Sequence, residues 1–204
     1  MGVSGAIRQK ANAWKSSCHP QKLMTHRTFS PIIPLLPFFL GGFLQAIEYT
    51  DVTTAAGITH VFDQDRANLD EDGEFPVMIG GAVAEDFNGD GWVDLFVTQA
   101  GLSPNLLYIN QQDGTFVDEA SDRGVAQIGF YTGACAADMD SDGDVDLFVA
   151  AVNGPHLLCV NDGTGHFTVD ATQFPTPSAR TSSPSWTDID GDGLLDLALG
   201  AWNF

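Results

Sequence analysis

The stretch "DMDSDGDVDLFV", Asp138 to Val149, places acidic side chains at every second position and then turns abruptly apolar. Two similar stretches, "DFNGDGWVDLFV" from Asp86 and "DIDGDGLLDLAL" from Asp188, lie 52 residues before it and 50 residues after it. A period near 50 residues is typical of stacked repeats or propeller blades. We therefore interpret the three stretches as equivalent parts of one repeated unit.

The sequence around each acidic stretch repeats as well. A small-residue segment precedes it ("IGGAVAE", "YTGACAA" or "TSSPSWT"), and an apolar segment follows it ("LFVTQA", "LFVAAV" or "LALGAW"). In the first two units a third apolar segment ("PNLLYIN" or "PHLLCVN"), a glycine turn and a fourth segment come next. Four short strands in a unit of ~40–50 residues indicate a β-propeller blade. The sequence predicts an all-β partial propeller with repeats at 79–130, 131–180 and an incomplete 181–204.

The segment "YTDVTTAAGI", Tyr49 to Ile58, aligns with "FVDEASDRGV", Phe116 to Val125. It predicts a fourth blade strand without the three strands that precede it. Residues 47–78 are therefore assigned to a leading strand and an acidic loop. About two and a half blades fall short of the four that a closed ring needs, so we expect an N-terminal fragment of a longer protein, with the remaining blades outside this chain. The alternative is that self-association completes the ring.

Residues 1–46 differ in character from the rest. They carry five of the eight basic residues and no acidic residue, and they end in an apolar run of 14 residues, Pro31 to Leu44, followed by Ala46. This is the pattern of a secretory signal peptide cleaved after Ala46, with Met24 as an alternative start. A buried hydrophobic segment is the other interpretation. The signal predicts a secreted or extracellular protein, or a periplasmic one in a bacterium, with membrane contact only through this segment.

Beyond residue 46 the chain has 27 acidic residues against three arginines, a formal net charge of −24. Such a body repels phosphate backbones and attracts cations. The charge therefore argues against a nucleic-acid partner.

Numbered from the first Asp, each acidic stretch has side-chain oxygens at positions 1, 3, 5 and 9 and glycine at position 6. Carboxylates at alternate positions of a tight turn converge and repel one another, and a hard divalent cation removes that conflict. Without His or Cys in the stretches, calcium is favoured over transition metals. Position 7 varies, which suits a backbone carbonyl ligand. The candidate ligands of about three Ca²⁺ sites are Asp86, Asn88, Asp90, Trp92 and Asp94; Asp138, Asp140, Asp142, Asp144 and Asp146; and Asp188, Asp190, Asp192, Leu194 and Asp196.

The pattern differs from an EF-hand, which has Glu at position 12 and flanking helices. Here position 12 is Val97, Val149 or Leu199, inside a strand-like run. The alternative without metal is an acidic turn held by Asx hydrogen bonds. Such a turn needs one Asp or Asn, whereas each of these loops has at least four.

The pattern "GGAVAEDFNGDGWVDLFV", followed by "NLLYINQQDGTFVDEASDRGV", resembles the FG-GAP/VCBS repeats of integrin-α-like β-propellers. "YTDVTTAAGITHVF" is similar to the start of cartilage-acidic-protein-like (ASPIC/UnbV-associated) secreted proteins. The resemblance covers nearly all of Tyr49 to Phe204 and implies a seven-bladed calcium-binding propeller with a role in adhesion or recognition. The first repeat has Ile79 where the family motif has phenylalanine, and "TSSPSW" in the third is a looser match.

Two functions remain open. The first is a non-catalytic, secreted calcium-binding propeller that recognises a protein or a glycan, with calcium structural in the inter-strand loops. The second is a fragment of a propeller enzyme, a polysaccharide lyase or hydrolase, whose catalytic residues lie outside this chain. The sequence contains no nucleophile elbow and no phosphate loop, so we expect no enzyme in this chain.

The remaining polar residues carry weaker indications. His156 occupies the repeat position of Asn105 and is expected to be structural. His60 lies near the acidic loop at 63–74, where a solvated loop is favoured over a hydrolase site. Cys135 and Cys159 are either a disulfide or two small buried residues.

Overall fold

The computed structural model describes residues 50–58, 80–152, 154–174 and 180–202, apart from the side chains of Ala100, Leu102 and Trp202. Within these ranges there are eleven strands and no helix, which confirms the predicted all-β class. Accordingly, no helix in this part of the chain is long and apolar enough to cross a membrane. The predicted signal segment and the acidic loop with His60 lie outside the described residues.

The strands follow one another along the chain as β1 (Ala82–Glu85), β2 (Asp94–Val97), β3 (Ala100–Pro104), β4 (Leu106–Asn110), β5 (Phe116–Asp118), β6 (Ile128–Ala137), β7 (Asp146–Ala151), β8 (Leu157–Asn161), β9 (Phe167–Asp170), β10 (Arg180–Thr187) and β11 (Asp196–Trp202). β1, β2, β4 and β5 form one antiparallel sheet, which we call blade 1. β6 to β9 form blade 2 in the same order, and β10 and β11 pair as the first two strands of blade 3. The predicted four-stranded blades are therefore confirmed.

β3 is a strand that the sequence pattern did not predict. The sequence predicts one strand over "LFVTQA", but in the structure this run breaks after Val97, and β3 crosses to blade 2. There Ala100 lies opposite Phe130, and Pro104 lies opposite Ile128. This pairing extends β6 ahead of the repeat boundary predicted at residue 131, because the start of the strand has a partner from the preceding blade.

The first strands of successive blades approach closely. A Cβ atom on Gly81 would lie 2.8 Å from the Cα of Gly133, and one on Gly133 would lie 3.2 Å from the Cδ of Pro184. Thr132 Oγ1 donates a hydrogen bond of 2.6 Å to the carbonyl of Thr181, which joins blades 2 and 3. At Gly81 and Gly133 a larger side chain would therefore not fit between the blades.

The described part of the leading segment, residues 50–58, contains no strand. The predicted strand begins at Tyr49, which lies outside the described residues, so the leading strand stays a prediction. They form a turn in which the Ala56 N–H donates to Val52 and the Ala56 carbonyl accepts from Phe116 at the start of β5. Arg123 does the same one repeat later, with Glu119 and with Phe167 at the start of β9. The alignment is therefore correct in register, because both segments form the same turn. Each turn accepts a hydrogen bond from the start of the last strand of a blade.

β7 is buried on both faces, as expected for a strand inside a blade. Leu147 and Val149 pack on one face with Phe87 and Phe167 from both blades. Phe148 packs on the other face against the side chains of blade 3. Each buried side chain of this size stabilises the fold by about 1.5–3 kcal/mol.

The two cysteines lie on opposite faces of blade 2. Cys135 is paired with Phe148, and Cys159 is paired with Leu147. Both thiols are free, and burial raises the pKa of each to about 12. Cys159 is buried and Cys135 is partly buried, so the interpretation as two small residues packed in the fold is correct and the disulfide is not formed.

Candidate metal centre

The three acidic stretches are loops that join the first two strands of each blade: loop 1 (residues 86–94), loop 2 (138–146) and loop 3 (188–196). Position 9 of each is the first residue of the second strand, where the side chain points inward. Asp94, Asp146 and Asp196 are accordingly only 0%, 1% and 7% exposed. These carboxylates are the buried floor of each loop.

Each buried carboxylate at position 9 accepts hydrogen bonds from backbone N–H groups. In loop 2, Met139 donates to Asp146 Oδ2 at 3.1 Å, and Asn161 at the end of β8 donates to Oδ1 at 2.8 Å. In loop 1, Asp94 has the equivalent two bonds, from Phe87 and from Asn110. The position 9 carboxylate therefore ties the start of its loop to the third strand of the blade.

The position 1 carboxylates hold the tip of each loop. Asp138 accepts hydrogen bonds from the N–H groups of Asp142 and Gly143, both at 3.1 Å. Asp86 and Asp188 make the matching bonds to positions 5 and 6 of their own loops. The position 5 oxygens accept in turn from the N–H of position 7, as Asp142 does from Asp144 at 3.0 Å. The Asx hydrogen bonds considered above are therefore present in all three loops.

The bend at position 6 requires glycine. Gly91, Gly143 and Gly193 have φ angles of 86°, 102° and 87°, which are strained for other residues. Position 4 is also left-handed, with φ of 72° at Gly89 and 65° at Ser141. Sequence reasoning missed position 4, because a serine in one of three copies hid the requirement.

Three carboxylates converge in loops 2 and 3. Oxygens of positions 1, 3 and 9 lie within 4.8 Å of one another, and the residues concerned are Asp138, Asp140 and Asp146, and Asp188, Asp190 and Asp196. Asp142 and Asp192 at position 5 do not belong to these groups. Loop 1 has Asn88 at position 3, so its matching set offers two carboxylates and one amide oxygen. Position 3 also accepts an N–H bond from position 5, at Asn88 and at Asp190, and position 9 accepts the backbone bonds given above. Because an amide oxygen accepts such a bond, as Asn88 does, hydrogen bonding alone does not require three carboxylates to converge.

The clustering changes the acidity of the carboxyl groups. The pKa of Asp146 is raised to about 6, chiefly by burial and to a smaller extent by the charges of Asp140 and Asp142, against the lowering effect of its two backbone hydrogen bonds. Burial also raises the pKa of Asp140 and of Asp94, with smaller contributions from the neighbouring carboxylates. In loops 1 and 2 the raised pKa values show that the fold disfavours the ionised form of these carboxyl groups when no cation is present.

The position 7 side chains lie outside the carboxylate groups. Trp92 is 43% exposed, and Leu194 is partly exposed. The carboxylate of Asp144 leans over the turn at Gly163, where an added Cβ atom would meet its Oδ2 at 2.6 Å. The role predicted for position 7 rests on its carbonyl and stays a prediction.

His156 has the structural role that the repeat predicted. Its Nδ1 accepts a hydrogen bond of 3.0 Å from the Ala151 N–H, just as Asn105 Oδ1 accepts one of 2.9 Å from Gln99. Burial lowers the pKa of His156, so the neutral ring is the form that the fold stabilises. The neutral ring of His156 therefore stabilises the connection between the second and third strands of blade 2.

Repeated four-stranded blades with an acidic loop between their first two strands define a class of propeller-type repeats. The chain belongs to the FG-GAP-like repeat family, whose model matches residues 86–149 and 138–199. Each match begins at the first Asp of one loop and ends in the strand after the next loop.

Among individual proteins, the chain is similar to cartilage acidic protein 1. It is 38% identical over 99 residues to the proteins of Mus musculus and Homo sapiens and 42% identical over 100 residues to that of Xenopus tropicalis. Each alignment covers 46% of this chain and 15% of the relative. The similarity therefore concerns a small part of those proteins.

Proposed function

We propose that this chain is part of a secreted, calcium-binding β-propeller in which calcium is structural and the exposed surface recognises a protein or a glycan. The observation that carries the proposal is the convergence of three carboxylates in loops 2 and 3, at the turn between the first two strands of a blade. Membership of the FG-GAP-like repeat family supports it.

The donor set fits calcium better than other metals. It consists of oxygens only, and calcium accepts six to eight oxygen ligands in flexible geometry, whereas magnesium demands a stricter octahedron. In loop 2, Asp138, Asp140, Asp142 and Asp146 would bind through side chains and Asp144 through its carbonyl. Loops 1 and 3 offer the corresponding residues, and we propose about three ions in all.

A bound ion supplies positive charge where the fold has gathered negative charge. Three ions reduce the formal charge beyond residue 46 from −24 to −18. Loops of extracellular modules bind at ~10⁻⁴–10⁻³ M, and calcium at tenfold Kd stabilises the fold by about 1.4 kcal/mol per site. Because a domain has a total stability of ~5–15 kcal/mol, three sites are a substantial part of it.

Secretion and recognition rest on different arguments. The signal-like residues 1–46 support export, and relatives named for cartilage, an extracellular tissue, agree with it. A body with so many carboxylates disfavours nucleic acid as a partner. The acidic groups are engaged in turns and loops, and we propose a recognition module with no catalytic activity of its own.

Differential scanning calorimetry of the purified chain with calcium and with a chelator tests the structural role of the metal. We expect a melting temperature that rises with calcium concentration and falls on chelation, with a smaller effect of magnesium. An unchanged melting temperature would contradict the proposal. Titration with sodium chloride at equal ionic strength controls for general charge screening.

A further inference from the structure

Asn161, at the end of β8, makes hydrogen bonds to two neighbouring metal loops at once. It is 3% exposed, and its Nδ2 donates to the Phe87 carbonyl in loop 1 at 2.8 Å and to the Val145 carbonyl in loop 2 at 3.0 Å. Its Oδ1 accepts from the N–H groups of Gly163 and Gly165 at 3.1 and 3.0 Å. The side chain is thus fully bonded, and its position is fixed.

The same residue completes a path between the two buried carboxylates. Its own N–H donates to Asp146 Oδ1 at 2.8 Å, while the Phe87 that it holds donates to Asp94 Oδ2 at 3.2 Å. Asp94 and Asp146 occupy position 9 of loops 1 and 2. One asparagine and one backbone segment therefore connect the floors of both loops.

Packing reinforces this connection. The rings of Phe87 and Phe167 meet edge to face with centroids 5.9 Å apart. A Cβ atom on Gly165 would lie 3.1 Å from the Cβ of Asn88 at position 3 of loop 1. The turn between β8 and β9 thus lies directly against loop 1, and a shift in one loop displaces groups that contact the other.

Asn110 is a matched residue without the second connection. It lies at the end of β4 and repeats the bonds within the blade, since its N–H donates to Asp94 and its Nδ2 donates to Val93 in loop 1 at 3.0 Å. Among the described residues, the bonds of Asn110 stay within blade 1. A comparison of Asn110 with Asn161 therefore separates the role of Asn161 within its own blade from its role between blades.

We propose that cation binding at loop 1 and at loop 2 is coupled through Asn161, which acts as a positioning residue for both sites. The inference rests on the proposed calcium sites and adds that they are not independent. A coupling that depends on one or two hydrogen bonds corresponds to about a twofold to tenfold change in affinity. By linkage the change is the same in both directions.

Terbium luminescence provides a readout of loop 1 when the signal of Trp92→Leu is subtracted, because Trp186 beside loop 3 is the same in both proteins. Trp92 at position 7 sensitises an ion in loop 1, whereas loops 2 and 3 have Asp144 and Leu194 there. Trp92→Leu, which copies loop 3, assigns the signal. Displacement of terbium by calcium is then measured in six proteins: wild type, Asn161→Ala and Asn110→Ala, each with and without Asp140→Ala.

We expect Asp140→Ala, which disables loop 2, to weaken calcium binding at loop 1 by about twofold to tenfold in the wild-type background. In the Asn161→Ala background, Asp140→Ala should cause no further change in calcium affinity at loop 1. In an Asn110→Ala background, Asp140→Ala should still weaken that affinity. Unchanged affinity at loop 1 in Asp140→Ala, or an equal loss with and without Asn161, overturns the coupling. No binding of either ion to the wild type refutes the proposed sites themselves.

Two further measurements keep the inference testable if Asn161→Ala does not fold. Asn161→Asp retains the oxygen that Gly163 and Gly165 bind and removes only the Nδ2 donors. The reciprocal test needs no change at Asn161. Asp90→Ala in loop 1 should weaken calcium binding at loop 2 by the same factor, and calorimetry measures that binding. An unchanged affinity at loop 2 rejects the coupling.

Discussion

Replacement of Asp140 by alanine should stabilise the metal-free protein and destabilise the calcium-bound protein. An oxygen of Asp140 lies within 4.8 Å of oxygens of Asp138 and Asp146. At that distance two unit charges in water repel by about 0.9 kcal/mol, so removal of Asp140 relieves about 2 kcal/mol over two pairs. The lost hydrogen bond from the Asp142 backbone costs about 1 kcal/mol. The net gain without metal is about 1 kcal/mol.

With calcium the sign reverses. At calcium a hundredfold above Kd, an intact site contributes about 2.7 kcal/mol, which the variant loses. The variant is then less stable than the wild type by about 1.7 kcal/mol, the difference between the two effects. At about 2–4 °C per kcal/mol, calorimetry should show a higher melting temperature in chelator and a lower one in calcium. Asp144→Ala, outside the carboxylate group, should do little in either condition. A shift of the same sign in both conditions refutes the reasoning.

Three further predictions concern single residues. His156→Ala should lower the free energy of unfolding in urea by about 3 kcal/mol, because the buried Ala151 N–H loses its acceptor and packing is lost. His156→Asn should restore much of that free energy, and equal losses in the two variants would show that the acceptor is irrelevant. Gly191→Ser should destabilise loop 3 by about 1 kcal/mol through backbone strain alone, since nothing lies within 4 Å of the added Cβ, and Ser141→Gly should give a smaller gain in loop 2. Calcium affinity at loop 2 should fall about tenfold per pH unit below the Asp146 pKa of about 6, as a proton competes for the carboxylate. A calcium affinity that does not change with pH over this range would contradict the assignment of Asp146 as a ligand. Without metal, the contribution of Asp146 to stability is complete below its usual pKa of 3.8 and is lost as pH rises through about 6.

The blades could be predicted from the sequence because each strand has its own local pattern. Short apolar segments bounded by Asp, Asn and Gly turns recur in register, and a propeller blade is built from neighbours in the chain. The loops were predictable for the same reason, since positions 1 to 9 are local. His156 was predicted by comparison of two copies of the repeat.

Contacts between blades could not be predicted in this way. The break after Val97 occurs where the chain leaves one blade for the next, a tertiary event without a local pattern. Residues 50–58 align with the end of a strand and the turn after it, and in the described residues only the turn is formed. Asn161 was visible as the last residue of "PHLLCVN", but its second partner is 74 positions away in the chain.

The number of calcium ions bound per chain tests the central claim most directly. The metal-free chain is dialysed to equilibrium against calcium, and bound metal is counted by elemental analysis for the wild type and for Asp140→Ala. The account predicts about three ions for the wild type and one fewer for the variant. Fewer than one ion per chain, or the same number in both proteins, would contradict it.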